Sequence, residues 1–384
     1  MKILLVVADL IVGGITTSAF NFSNEMIKRG HEVTFLDLSG TVKEKDLPNS
    51  QIKIAKIEGR AKYWNITAKR TNALSPILHK LLGLIKKITV RMGIWYKIIF
   101  TKFCPQEEFD VAIAFRQCEP CYYFVLNCVN AKKKIGFVHG ELRFMGDISS
   151  WKKYMTSFNK IAYVSNAVKE QFISAYPELT TNASVIYNMF NIENIKKLAD
   201  EKPAVEFDKT KKNIVTVCRI DNVFKQTDWI VEVCEKLKKE VKTPFHWYVL
   251  GDGVDYDDMV NLSKEKGVED VLTFTGNQSN PYSIVKNADF TVLTSKSEAY
   301  PMVVFESFIL GKPIIVTYYE SAKEMIEENK NGLITQQNLT DLYNKVKIML
   351  DDENDIFSKC AEYMSAYAYN NDKPYKQFLS TLEE

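Results

Sequence analysis

Short β-rich runs alternate with helix-patterned stretches along this chain, and they do so twice over. That alternation limits most narrowly what the chain can fold into. In the N-terminal half Ile3–Val7, Glu32–Leu36, Asp110–Phe115, Lys134–Val138, Lys160–Val164 and Ser184–Tyr187 read as strands. Thr16–Arg29, Glu119–Val129 and Ala167–Tyr176 read as helices, the first stopped by Gly30. The pattern lapses at LADEKPAVEFDKTKK, residues 198–212, a polar stretch with a proline that reads as a linker. It then restarts with strands predicted at Asn213–Cys218, His246–Leu250, Val271–Phe274, Phe290–Leu293 and Pro313–Val316. Helices are predicted between and after them, over Trp229–Lys239, Val254–Lys266, Tyr282–Lys286, Met302–Leu310 and Ala322–Glu328.

This order implies an α/β protein of two doubly wound, Rossmann-like domains, and 384 residues suit two domains of ordinary size. The expected limits are 1–204 for an N-terminal domain and 205–362 for a C-terminal one. Residues 363–384 are expected to form a C-terminal helix packing back toward the first domain. Ligands are expected in a cleft, outside the carboxyl ends of the strands.

Composition narrows the function classes. At 46% hydrophobic and 26% charged, the chain can build large cores and is neither disordered nor a disulfide-stapled miniature. Its seven cysteines lack scaffold spacing and read as reduced thiols. Cys118, Cys121 and Cys128 have no histidine near them and fall on one helical face, so packing is expected and no metal site. The run MKILLVVADLIVGG is interrupted by Asp9 and reads as a buried first strand, not a signal peptide. An intracellular, cytoplasmic protein is expected.

The sharpest chemical feature is Ser297-Glu298-Ala299-Tyr300-Pro301-Met302-Val303-Val304-Phe305-Glu306, between the runs FTVLTS and PIIVT. Pro301 suits a first helical turn, and the free N–H groups of Ala299 to Val303 at that helix start form an anion site. Glu298 precedes the helix and Glu306 lies inside it among apolar residues, where a carboxylate needs partners. Two carboxylates beside a phosphate-binding helix end suit the hydroxyls of a sugar or ribose. A simple cap and a solvated side chain are the plainer alternative.

Glu-x7-Glu followed by Gly311-Lys312-Pro313 resembles the donor-site motif of the retaining GT-B glycosyltransferases, especially glycosyltransferase family 4, the glycosyl transferases group 1. Val217-Cys218-Arg219-Ile220 with Lys225, Leu250-Gly251-Asp252-Gly253 and Phe274-Thr275-Gly276-Asn277 are similar to further motifs of that family, in the same order. Gly13-Gly14, Val138-His139-Gly140, Tyr163-Val164-Ser165 and Ile186-Tyr187-Asn188 extend the resemblance into the first half.

The resemblance implies a metal-independent, retaining transferase without a resident cofactor, using a nucleotide-linked sugar, UDP by family habit. It implies that Glu306 holds the ribose and that Glu298 holds the transferred sugar. Ala299, Tyr300, Pro301, Met302 and Val303 would line the sugar and phosphates, while Arg219 and Lys225 neutralise the diphosphate. Gly276 and Asn277 would hold the base, Gly14 would admit the donor, and His139 would reach the sugar. Gly13 and Asn188 are assigned to the acceptor side.

Charge adds one located expectation. The total is +2, yet residues 59–106 contain no Asp or Glu and ten basic residues, leaving −8 on the remainder. Lys80, Lys86, Lys87, Arg91 and Lys97 interleave with apolar residues and Trp95, as in an interfacial amphipathic helix. Docking on an anionic membrane is therefore expected, with a lipid-linked or growing glycan as acceptor. The alternatives are a core helix with a basic face, a sugar-nucleotide epimerase of the same fold, or a non-catalytic partner subunit. Nucleic-acid binding lacks a supporting motif.

Overall fold

The computed structural model describes residues 1–8, 13–39, 50–55 and 105–383. The basic segment, with Lys80, Lys86, Lys87, Arg91, Trp95 and Lys97, lies outside the described residues. The chain divides into two units, Met1–Phe190 with Asn371–Glu384, and Asn191–Asn370.

The first unit holds seven parallel strands, β1 (Lys2–Val7), β2 (Glu32–Asp37), β3 (Lys53–Ala55), β4 (Glu108–Ala114), β5 (Asn130–Val138), β6 (Lys160–Tyr163) and β7 (Ala183–Val185), in the order β3-β2-β1-β4-β5-β6-β7. A strand covered on both faces must be apolar throughout, and Ile3 to Val7 are all buried. The helix Asp372–Glu383 belongs here, with Phe378 edge-on to Phe22 at 5.3 Å between centroids. Asn371 ties it down. Its amide donates to Glu25 Oε2 at 2.7 Å and to the Phe190 carbonyl at 2.8 Å, and its carbonyl accepts from the Phe190 N–H at 3.0 Å.

The second unit holds β8 (Lys212–Val217), β9 (Phe245–Leu250), β10 (Leu272–Gly276), β11 (Phe290–Leu293), β12 (Ile314–Thr317) and β13 (Gly332–Thr335), all parallel, in the order β10-β9-β8-β11-β12-β13. The order reverses between β8 and β11, the place where open α/β sheets bind ligands beyond their carboxyl ends. The helix Thr227–Glu240 turns Ile230, Cys234 and Leu237 inward at helical spacing. They meet a core centred on Trp247, whose indole N–H donates to Thr216 Oγ1 at 3.1 Å.

Three expectations need correction. The division falls at 190/191 rather than at 204/205, because residues 191–199 form a helix, Ile192–Ala199, that sits on the second unit. Its Leu198 carbonyl accepts from Asn280 Nδ2 at 2.8 Å. The upper limit also moves, from 362 to 370, since the helix Ile356–Ser365 ends inside the second unit. Ala322–Glu328 is only a 3₁₀ turn over Ala322–Glu324, since the chain must then reach β13, bridged by Glu328 and Gly332.

Candidate functional site

The site grows from the reversal point of the second sheet. Beyond β8 the chain runs through Arg219 into the short helix Asn222–Lys225, and beyond β11 it runs through Thr294 to Glu298. The two segments are stitched together. Thr294 Oγ1 donates to the Lys225 carbonyl at 2.6 Å and the Lys296 N–H to the Phe224 carbonyl at 2.8 Å. The β9 loop joins them, with the Ile220 N–H on the Asp252 carbonyl at 3.0 Å and Asn222 N–H on Asp255 Oδ2 at 2.7 Å. Gly251 is required there. At φ +139°, a Cβ on it would lie 1.8 Å from the Cys218 carbonyl oxygen.

This stitching brings Lys225 and Glu298 together as an ion pair. Glu298 Oε1 takes the ammonium and also accepts Ser295 Oγ at 2.8 Å. Burial works against the Lys225 ammonium, but the charge and hydrogen bond of Glu298 outweigh it and raise its pKa. Gln226, next in the chain, holds a left-handed conformation (φ +48°, ψ +46°) that turns the chain into Thr227–Glu240. Arg219 is mostly exposed and accompanied by Asp221 at 2.8 Å. Cys218 is no nucleophile, since burial pushes its thiol up to about 12.

Glu306 lies on the helix Met302–Ile309, whose start at Pro301 carries no side-chain cap. Its first N–H groups therefore remain for another acceptor. Glu306 borders a small cavity of about 20 Å³, room for a single water, lined also by Val217, Tyr282, Val292 and Val303. Tyr282 donates its hydroxyl to Glu306 Oε1 at 3.1 Å. Burial pushes the Glu306 carboxyl up to about 7, with Tyr282 pulling the other way. Tyr300 is buried and stacks on Phe305 at the helix start. Ala299, Met302 and Val303 are half-buried, as is Gly276, while Asn277 is exposed.

The first-unit residues stand differently. Gly13 and Gly14 open the helix Gly14–Lys28, and a Cβ on either meets nothing within 4 Å among the described residues. Packing against the described residues does not demand glycine there. His139 stacks with Phe137 (centroids 5.4 Å apart) and packs on Phe115 (4.7 Å). Burial holds its pKa down to about 3, so the ring is a neutral imidazole. Its Nε2 is buried with no partner among the described residues. Asn188 is buried and accepts Ser18 Oγ at 2.7 Å.

Sequence reasoning missed Ser295, Tyr282 and Gln226. Tyr282 acts through a carboxylate 24 residues along the chain and Ser295 through one three residues on, and no motif marks either. Among the described residues no three His, Cys, Asp or Glu side chains converge as metal ligands.

Comparison with known proteins places this geometry. The profile of the family "Glycosyl transferases group 1" matches residues 199–371. A Campylobacter jejuni N-acetylgalactosamine-N,N'-diacetylbacillosaminyl-diphospho-undecaprenol 4-alpha-N-acetylgalactosaminyltransferase is 26% identical over 186 residues, 48% of each chain. That match spans about half the length of this relative. A second C. jejuni enzyme, the GalNAc-alpha-(1->4)-GalNAc-alpha-(1->3)-diNAcBac-PP-undecaprenol alpha-1,4-N-acetyl-D-galactosaminyltransferase, is 24% identical over 362 residues, 92% of this chain and 90% of that one. Among solved structures, a variant of S. aureus TarM in complex with fondaparinux, alpha-GlcNAc-glycerol and UDP superposes over 100% of both chains, with a TM-score of 0.71 at 14% identity. The two parallel sheets, of seven and six strands, and the superposition give the chain the GT-B fold, and its residues 199–371 match the group 1 glycosyltransferases.

Proposed function

We propose that this chain is a retaining glycosyltransferase that moves a sugar from a nucleoside-diphosphate sugar, UDP-linked by preference, to a hydroxyl of a lipid-linked or growing glycan in surface-polysaccharide synthesis. One observation carries the reading. At the reversal point of the second sheet a Lys–Glu ion pair, an exposed arginine and an uncapped helix start come from segments hydrogen-bonded to one another. Arg219, Lys225 and the first N–H groups of Met302–Ile309 suit a diphosphate, with fixed donors where charge develops as the leaving group departs. Glu298 suits sugar hydroxyls and Glu306 the ribose, with Gly276 and Asn277 toward the base. These cationic groups supply what a metal would, so transfer is expected without one.

Transfer proceeds on the face the diphosphate leaves. The bond from the anomeric carbon to the phosphate oxygen breaks, the acceptor oxygen bonds that carbon, and the acceptor's proton passes to the departing phosphate oxygen. No covalent enzyme intermediate forms, and the anomeric configuration is kept. UDP in the TarM structure and the undecaprenol-linked names of the C. jejuni relatives support the donor and acceptor classes. The composition of residues 59–106 supports a cytoplasmic enzyme held peripherally on the inner membrane face. Among the described residues no helix is long and apolar enough to cross a membrane.

The test is a thermal-shift screen of nucleoside-diphosphate sugars. Nucleotide release is then followed with and without polyprenyl-diphosphate glycans, with NMR of the product anomer and a chelator control. Arg219→Ala should abolish turnover and leave melting unchanged, because Arg219 is mostly exposed. Full activity of that variant refutes the assignment, and an inverted product refutes retention. Co-sedimentation with anionic vesicles, lost on neutralising Lys86, Lys87 and Arg91, tests the membrane part.

A further inference from the structure

The cation that this reading aims at a diphosphate is already taken. Lys225 is held by Glu298, both side chains are largely shielded (21% and 16% exposed), and Ser295 fixes the same carboxylate oxygen. The carbonyl of Lys225 is pinned to Thr294, so the backbones on both sides are anchored. Any motion that frees the ammonium is one of side chains. Glu298 Oε2 has no partner among the described residues.

A nucleoside diphosphate without sugar must draw Lys225 away from Glu298 and leave a shielded carboxylate short of its cation. Such a loss is expensive where water is scarce. A nucleotide sugar brings hydroxyl donors along with its diphosphate. Those hydroxyls reach the carboxylate from the same ligand and replace what Lys225 withdraws.

Resting on the proposed donor site, we propose that Glu298 is a specificity-determining residue that admits Lys225 to a diphosphate only in exchange for sugar hydroxyls, so the protein favours nucleotide sugar over nucleotide product. After transfer the sugar has left with the acceptor, Glu298 recaptures Lys225, and the spent diphosphate loses a cation. Product release is thereby built into the same pair that assists departure.

The experiment is a double-mutant cycle on the full chain, using unaltered protein, Glu298→Gln, Lys225→Met and the double variant. UDP, GDP and ADP are titrated by calorimetry, as is the sugar nucleotide that scores in the donor screen. Glu298→Gln keeps side-chain size and an acceptor for Ser295. It is expected to bind the preferred nucleoside diphosphate about tenfold more tightly, and the nucleotide sugar no more tightly. In the Lys225→Met background the tightening should vanish. Equal tightening in both backgrounds means that Glu298 acts as a through-space charge and overturns the inference, as does no tightening at all. Lys225→Gln replaces the Met variant if circular dichroism shows the latter unfolded. If the unaltered protein binds no nucleoside diphosphate and no nucleotide sugar, the donor-site reading falls, and this inference with it.

Discussion

Replacing Glu306 by glutamine should stabilise the fold while weakening nucleotide binding, and the stabilisation should depend on pH. Glu306 sits beside Val217, Val292 and Val303, with the Tyr282 hydroxyl as its hydrogen-bond donor. Burial moves its titration from an ordinary 4.5 to about 7. Between those values the folded protein keeps a proton that the unfolded chain has released. Stability is therefore complete below pH 4.5, falls as pH rises, and is lowest above pH 7.

At about 1.36 kcal/mol per pH unit the gap from 4.5 to about 7 amounts to about 3 kcal/mol against the carboxylate at pH 8. Partial solvent access reduces this to roughly 2 kcal/mol. Glutamine keeps an acceptor for Tyr282 and never ionises. In a unit of 180 residues, roughly 2–4 °C per kcal/mol predicts that Glu306→Gln melts about 4–8 °C above the parent at pH 8. At pH 4.5 the two should melt together. Calorimetric scans of both proteins at pH 4.5, 6 and 8 decide it. A difference that ignores pH, or a variant less stable at pH 8, would show a well-solvated or well-paired carboxylate and refute the burial reasoning.

Other expectations follow from packing. Gly251→Ala drives a methyl group into the Cys218 carbonyl and should cost at least ~3 kcal/mol, read as lost cooperative melting or rapid proteolysis of the second unit. Asn371→Ala removes three buried hydrogen bonds, one to Glu25 and two to the Phe190 backbone, and should cost ~2–4 kcal/mol in urea unfolding. A loss under 0.5 kcal/mol there would mean that water replaces the amide freely. The His139 ring signals in NMR should stay fixed between pH 5 and 8, and a titration near 6.5 would refute its burial as a neutral ring.

What could be read in the chain beforehand follows from where the determining information lies. Phe290–Leu293 is legible residue for residue, because FTVL is a short β-prone run bounded by the polar Asp289 and Thr294. β13 escaped notice. GLIT is four residues long, and Gly332 is needed only because a Cβ would lie 2.0 Å from the Ile314 carbonyl, a clash that exists once β12 is alongside. The helix Ile192–Ala199 is masked in the sequence because it runs into a charged, proline-bearing stretch whose composition mimics a linker. Similarly, Glu298, Glu306, Arg219 and Lys225 stood out through spacing, whereas the Tyr282–Glu306 and Ser295–Glu298 bonds are products of folding. The neutrality of His139 depends on Phe115 and Phe137, rings delivered by two neighbouring strands.

The first unit's return through Asn371–Glu384 also sets an order of events during synthesis. When Phe190 leaves the ribosome, the helix that covers Phe22 and the amide that joins Glu25 to Phe190 do not yet exist. At ~5–20 residues per second, the 180 residues of Asn191–Asn370 take roughly 10–40 s to appear. For that interval Phe22 packs on Phe115 and Phe137 without Phe378, and Glu25 is held by Arg29 but not yet by the Asn371 amide. The second unit, contiguous in sequence, can finish folding before the first is complete.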